Sequence, residues 1–464
     1  MKFTEKYSRI FQLLLPSPLS IALLLSLITI VVAYIFTNAS IASEQNYLIT
    51  LFEYWERGLW NDDLMVFALQ MMLMLVLGHI LAMSPFVGRF IDRICFFATT
   101  NAKAAALVCL STMAVALFNW GLGLIFGAII ARKIGEKAHR ENFDLNYPLI
   151  GAAGYSCLMV WHGGISGSST TKVAEEGHLS SLMEGILPTD QLLKLPSSIS
   201  FSETVFSPMN VFATAAVLIV IPLLMYFIEK SSSGTNLSRL ATKKVKEDET
   251  KTLFGAEKID YSTFTTKIVG SIILLYLSLK VIQTPDISKF AFITPNFINL
   301  SLLGLGFFFH KNIVGFLKAT DHAIAGASGI LIQFPLYFGI MGIMKESGLI
   351  NLFSNSFVSH STSISFPIFT LFSAGLVNVF VPSGGGQWAI QGPIIVQAAE
   401  SLQTSLPKSI MALAYGDQLT NMLQPFWALP LLGITKLKAK EILPYTLVMM
   451  LVAGVIYIGA LLLF

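Results

Sequence analysis

The sequence predicts an all-α polytopic membrane protein made of two inverted repeats, each with a re-entrant helical hairpin and a broken transmembrane helix. Three observations lead there. Apolar stretches of about 20 residues, the length that crosses a bilayer, recur along the 464-residue chain. Only 12% of residues are charged, against about 25% in ordinary soluble domains. Finally, two Gly-rich strings, Asn119-Trp120-Gly121-Leu122-Gly123 and Pro382-Ser383-Gly384-Gly385-Gly386, interrupt long apolar stretches, one in each half. Irregular backbone at bilayer depth survives only where protein or a polar cavity covers it. Interruptions at matching places in two halves point to the binding site of a secondary transporter.

Taken in order, the crossings fall near 15–38, 64–86, 147–176, 203–228, 264–284, 289–309, 322–346, 409–435 and 443–463. The first apolar run follows Lys2, Lys6 and Arg9 and is too long for a signal-peptide core. Segment 39–63 is acidic and belongs outside, whereas Arg89, Arg93 and Lys103 before 104–133, and Arg132, Lys133, Lys137 and Arg140 at its end, belong inside. Both ends of 104–133 are therefore cytoplasmic, as a re-entrant hairpin requires. The same reasoning makes 364–402 a hairpin entered from outside, with the N-terminus cytoplasmic. A net charge of +3 is too small to suggest nucleic acid as a partner, and three scattered cysteines make neither a disulfide framework nor a metal site.

The repeat has a register. Gln70 precedes Asn119, and Gln333 precedes Pro382, by the same 49 residues, and Ile150, Ala152 and Tyr155 recur as Ile410, Ala412 and Tyr415. The organisation that follows is 1–86 as scaffold, 87–228 as transport part (hairpin 104–133, broken helix 147–176), 229–263 as cytoplasmic linker, 264–346 as linker helix and second scaffold, and 347–464 as second transport part (hairpin 364–402, broken helix 409–435). Elevator motion would carry the transport parts against the scaffold.

The candidate site lies at the interruptions. Half-helix N-termini attract anions, and opposing C-terminal ends and unwound carbonyls attract Na⁺ or a proton. Asn119, Trp120, Gly121, Ser166, Ser168, Ser383, Gly384, Gly385, Gln387 and Trp427 are the candidate substrate-binding residues. Asp417, Asn421 and Gln424, spaced i, i+4, i+7 on one helix face, and His162 are candidates for the coupling ion, with Na⁺ at the tips through Asn119 and Ser383 as one form of it. An Asp inside an apolar span is costly and marks function by default; its structural alternative is an ion pair with Lys172. Trp120, Trp161, Trp388 and Trp427 adjoin the breaks and predict an aromatic-walled cavity for a small ligand with a charged end and a short apolar tail. No arginine lies at a break, which favours a single negative charge. A remote alternative reads Gly164-Ile165-Ser166-Gly167 with His162 as an intramembrane serine hydrolase. No phosphate-binding loop of the Gly-x-x-x-x-Gly-Lys-Ser/Thr kind is present, so ATP drive is not expected, nor any cofactor beyond Na⁺ as coupling ion.

The strings Asn119-Trp120-Gly121-Leu122-Gly123, Val381-Pro382-Ser383-Gly384-Gly385-Gly386-Gln387-Trp388-Ala389-Ile390-Gln391-Gly392-Pro393 and Gln424-Pro425-Phe426-Trp427-Ala428-Leu429-Pro430 resemble those of the bacterial short-chain fatty acid transporters of the acetoacetate and butyrate uptake type. The resemblance runs over essentially the whole chain, including Pro16-Ser17-Pro18 and Gln333-Phe334-Pro335. It implies uptake of short-chain carboxylates across the bacterial cytoplasmic membrane by symport with H⁺ or Na⁺. It is similar also to the broader ion-transporter superfamily, whose inverted hairpin repeats work as elevators and usually as homodimers. Carriers of that kind for dicarboxylates or for Na⁺/H⁺ exchange are the alternative. His162 stands where the family pattern has a glycine, and Gln387 where it can have histidine. Both departures bear on substrate choice and proton handling.

Overall fold

The structure, a computed structural model, describes residues 17–37, 46–141, 143–184, 187, 189–235, 237, 240, 254–284, 294–382 and 384–464. Among these there is helix and no strand. The helices are α1 Pro18–Thr37, α2 Tyr47–Leu59, α3 Asp62–Met83, α4 Pro85–Phe96, α5 Asn101–Phe118, α6 Trp120–Glu141, α7 Tyr147–Tyr155, α8 Ser168–Val173, α9 His178–Met183, α10 Thr189–Leu192, α11 Pro208–Lys230, α12 Glu257–Asp260, α13 Thr263–Ile282, α14 Pro295–Phe309, α15 Ile313–Glu346, α16 Leu349–Ser359, α17 Phe366–Phe380, α18 Gly384–Ser401, α19 Leu406–Thr420, α20 Pro425–Thr435 and α21 Ala439–Leu463.

Local chemistry explains most of the starts. Asn46, Asn61, Thr100, Asn146, Ser207, Thr294, Asn312 and Ser405 each accept a first-turn amide hydrogen at a helix N-terminus, where four backbone donors would otherwise lack partners. Proline stands in the first turn of α7, α11, α14, α17, α19 and α20, where its missing N–H costs nothing. Six described helices are long and apolar enough to cross a membrane: α1, α3, α5, α11, α13 and α21. Leucine, isoleucine, valine and phenylalanine side chains on α1, α11, α13 and α21 point outward unburied. An apolar girdle of that extent belongs against lipid.

The sequence-based boundaries shift in several places. Segment 39–63, read only as acidic and outside, holds α2, an amphipathic helix whose Leu51 and Gly58 are buried. The crossing placed at 322–346 begins at Ile313 and is 34 residues long with Pro335 inside, about 51 Å at 1.5 Å per residue. That placed at 203–228 starts only at Pro208. The segment 147–176 loses α-helix already after Tyr155, passing through 3₁₀ turns at Ser156–Met159 and Trp161–Gly163 before α8. The first hairpin comprises α5 and α6, which fold back on each other at Asn119. The second comprises α17 and α18.

Packing forms two groups. In one, α15 is the spine, lying against α1, α2 and α3, with α14 on α3 and α13 on α14. In the other, α5, α6, α7 and α11 pack together, α17 lies along α19, and α20 and α21 close onto α6 and α11. The groups meet along α3–α6 and α15–α20. Close approach depends on small residues, as is usual between membrane helices. A Cβ on Gly127 of α6 would strike the Gly154 carbonyl of α7, and one on Gly342 of α15 the Tyr54 carbonyl of α2. Cys95, Cys109 and Cys157 are all buried and none is in a disulfide.

Candidate functional site

Both hairpin tips and the end of α19, just before the second break, bear on the first break, Trp161–Ser168. At the first tip, Asn119 is extended (φ −153°, ψ 125°). Its Oδ1 accepts the Leu122 amide hydrogen at 2.9 Å and its carbonyl accepts that of Gly123 at 2.9 Å, so Asn119 caps α6 with its own side chain. The Trp120 amide donates to Ser166 Oγ at 3.1 Å, and the Ile165 amide to the Leu117 carbonyl at 2.9 Å. At the second tip Ser383 lies outside the described residues. Its neighbour Gly384 sits against the same segment: a Cβ there would lie 2.8 Å from the His162 ring and 3.0 Å from Ser168 Oγ. The tips therefore reach serines two residues apart.

The breaks cap one another. Tyr155, from the first, donates its hydroxyl to the carbonyls of Asn421 and Gln424, both at 2.9 Å, in the second. Tyr415 acts in the opposite direction through Asn210, whose Oδ1 accepts its hydroxyl at 3.0 Å and whose Nδ2 donates to the Gly163 carbonyl at 2.9 Å. Tyr457 caps Met159 and Thr446 caps Met422. The backbone exposed by unwinding is thus satisfied by side chains, as an interior break must be.

At the junction, His162 Nε2 stands 3.3 Å from Asp417 Oδ2, with side-chain exposures of 0% and 1%. The His162 amide donates to Gln418 Oε1 at 2.9 Å. Asn378 on α17 donates to the Asp417 carbonyl, Thr420 Oγ1 and Asn421 Oδ1, each at 2.9 Å, and its carbonyl accepts Gln424 Nε2 at 2.5 Å. Among the described residues, several buried polar atoms here have no hydrogen-bond partner: both His162 ring nitrogens, Asp417 Oδ2, Gln418 Nε2, Asn421 Nδ2 and Asn378 Oδ1. Buried polar atoms without partners are the exception in folded chains, and here they cluster at the junction.

Several sequence expectations change. Asp417, Asn421 and Gln424 do not share a helix face, because α19 ends at Thr420. Asn421 and Gln424 are brought to the site by Asn378 instead. Lys172 pairs with Glu175 at 2.9 Å, leaving His162 as the partner of Asp417. Gln387 turns away, donating to the Ala374 carbonyl at 2.8 Å and to Gln391 Oε1 at 2.7 Å. Gly385 is exposed, with nothing within 4 Å of a Cβ position. Three of the four break tryptophans meet: Trp120 lies 5.7 Å from Trp161 and 5.1 Å from Trp427, ring to ring. Trp388 goes elsewhere, donating to His178 Nε2 at 3.0 Å. Beside the first tip, Trp120, Leu124 and Ile125 face Met74 and Phe334 across a narrow apolar recess, closed at its side by Trp427 and Pro430.

The sequence reading missed Asn378 and Gln418. Asn378 carried a signal, being an amide within Leu376-Val377-Asn378-Val379-Phe380 of an apolar helix. Gln418 carried none, since its role depends on which segment faces it.

Comparison with known proteins gives the family. The short chain fatty acid transporter family model matches residues 1–464. A relative from Escherichia coli (strain K12), named "Putative short-chain fatty acid transporter", is 34% identical over 457 residues, 97% of this chain and 96% of its own. One of the same name from Haemophilus influenzae (strain ATCC 51907 / DSM 11121 / KW20 / Rd) is 33% identical over 470 residues, 98% and 96%. Among solved structures, the Alcanivorax borkumensis YdaH transporter is similar at a TM-score of 0.44 and 14% identity, covering 96% of this chain and 98% of that one. Neisseria gonorrhoeae MtrF is similar at 0.42 and 11%, covering 99% and 96%. Scores below 0.5 leave the fold resting on the chain's own helices. With a family match across its full length and two relatives above 30% identity over nearly all of it, the chain belongs to the short-chain fatty acid transporter family.

Proposed function

We propose that the protein is a secondary active transporter that takes up short-chain monocarboxylates, of the acetoacetate and butyrate class, across the bacterial cytoplasmic membrane in symport with H⁺ or Na⁺. The observation that carries this reading is the convergence of both tips and the end of α19 on the first break, Trp161–Ser168, with the buried His162–Asp417 pair and its polar neighbours at the junction. The carboxylate is held by neutral donors and helix ends near Ser166 and Ser168, which are partly exposed. The ion is taken by the Asp417–His162 pair, or by oxygens at the tips if it is Na⁺. Opposite hairpin orientation, a cytoplasmic N-terminus and a homodimer belong to the same reading. The two helix groups, meeting along α3–α6 and α15–α20, supply a scaffold and a moving part for an elevator.

A hydrolase is disfavoured by geometry. Ser166 Oγ takes the Trp120 N–H, and neither ring nitrogen of His162 is hydrogen-bonded to a serine, whereas a nucleophile needs a base within that reach. Na⁺/H⁺ exchange on the same fold would use the Asp417–His162 pair alone, and would appear as ion counterflow without any organic anion.

The test is uptake of labelled butyrate into proteoliposomes with H⁺ and Na⁺ gradients imposed separately. Wild type is expected to accumulate butyrate under one of them. Asp417→Asn is expected to keep butyrate exchange at equal concentrations and to lose gradient-driven accumulation. No uptake under either gradient would remove the substrate assignment, and an unchanged gradient dependence in the variant would remove Asp417 from coupling.

A further inference from the structure

We infer that the apolar recess beside the first hairpin tip receives the acyl tail of the transported carboxylate, and that Met74 sets the chain length it admits. This rests on the carrier reading above and names what that reading leaves open, the selectivity among acids.

The recess lies where a tail would lead. The backbone of Trp120 donates to Ser166 at the polar break, while its ring forms a wall of the recess and meets the Trp427 ring edge-on. One residue thus borders both environments. Among the described residues no charged side chain lines the recess, so the ionised end of an acid is excluded from it by the cost of stripping its water. The uncharged end has no such barrier, and the aromatic and aliphatic walls reward its burial. As it stands the recess has room for about one water molecule, so a tail of a few carbons enters it only as the Met74 side chain moves aside.

Met74 closes the recess from the opposite helix group. A Cβ on Gly121 would fall on Met74 Sδ, so the thioether lies over the space that glycine leaves free. Methionine is flexible and fills irregular gaps, which makes its tip the movable floor of the recess.

The size of the effect follows from burial. Each methylene gained or lost from an apolar site changes preference about fourfold. Inhibition of labelled butyrate uptake by unlabelled C2 to C8 acids gives a preference profile that is independent of how much protein is active. Met74→Ala, which deepens the recess, is expected to raise the preference for hexanoate over butyrate about tenfold. Gly121→Ala, which pushes the thioether into the recess, is expected to lower it about fourfold and to favour propionate. Leu124→Ala widens the recess from the other wall without touching the floor. It is expected to shift the profile toward longer acids, so that it serves if either first variant fails to fold. Variants that transport butyrate with profiles within twofold of wild type would overturn the inference while leaving the carrier reading intact. A wild type that transports none of these acids would overturn both.

Discussion

Asp417 faces His162 across 3.3 Å of fully buried interior, and this contact ties the first broken segment to the second. A carboxylate in an apolar helix was legible from the sequence as a group with a task, because its burial without a purpose is costly. Its partner was not. Charge complementarity nominated Lys172, yet that lysine is half-exposed and reaches Glu175 three residues on. Local pairing won because it keeps both charges in water. The partner of Asp417 is set by where the unwound chain at Trp161–Gly163 places a ring, and this is a tertiary fact. Removing the ring should therefore tell. His162→Ala leaves a cavity and an isolated carboxyl, and is expected to cost about 2–5 kcal/mol, read as a lower melting temperature in detergent. His162→Gln, which retains polar atoms, is expected to recover part of the loss.

Elements break where the sequence says they break, but other elements hold the ends. Gly163-Gly164 and Gln424-Pro425 were readable as interruptions from residue type alone. The earlier end of α7 was not: Ser156-Cys157-Leu158-Met159 could continue a helix, and it tightens to 3₁₀ where Ser156 Oγ turns to the Ala153 carbonyl and the Cys109 side chain lies against it. Nor could the crossed capping by Tyr155 and Tyr415 be read, although their recurrence 260 residues apart was visible. Tyr155→Phe removes the donor shared by two buried carbonyls and is expected to cost about 1–3 kcal/mol, with faster amide exchange confined to residues 421–424. The second arm of the second hairpin, α18, offers a pH-dependent counterpart. Trp388 Nε1 donates to His178 Nε2, which requires a neutral ring. Burial, helped by Lys172 and opposed by Glu175, holds His178 below its ordinary value of 6.5. The unfolded chain therefore binds the proton more readily, and the stability this contact lends is present above the ordinary value and lost as pH falls toward the folded one. The melting-temperature gap between wild type and His178→Ala is expected to narrow from pH 7 to pH 5; a constant gap would show that the ring's protonation is irrelevant there.

At the scale of the whole molecule, hydropathy, charge deficit and the two interrupted stretches were enough for an all-helical membrane protein, since each follows from solvent. The grouping of helices was not, because α15 chooses its neighbours by shape: glycines at 58 and 342 let α2 approach its backbone. The two groups touch through Phe334 of α15 and Phe426 of α20, whose rings stack at 3.8 Å. If one group slides past the other during the cycle, Phe334→Cys with Phe426→Cys, oxidised to a disulfide by iodine, an apolar oxidant small enough to enter this buried seam, is expected to stop butyrate uptake and to regain it on reduction. Uptake that continues through the bridge would rule out relative sliding at this seam. Labelling at exposed positions is a separate matter, and it is practical because the three native thiols, Cys95, Cys109 and Cys157, are sequestered. Their side chains offer a polar reagent no approach while the chain is folded. A spin label or fluorophore attached at an engineered outward-facing cysteine would thus report from one known address on the unmodified background, and reaction of the wild-type thiols would itself time the loss of the native state.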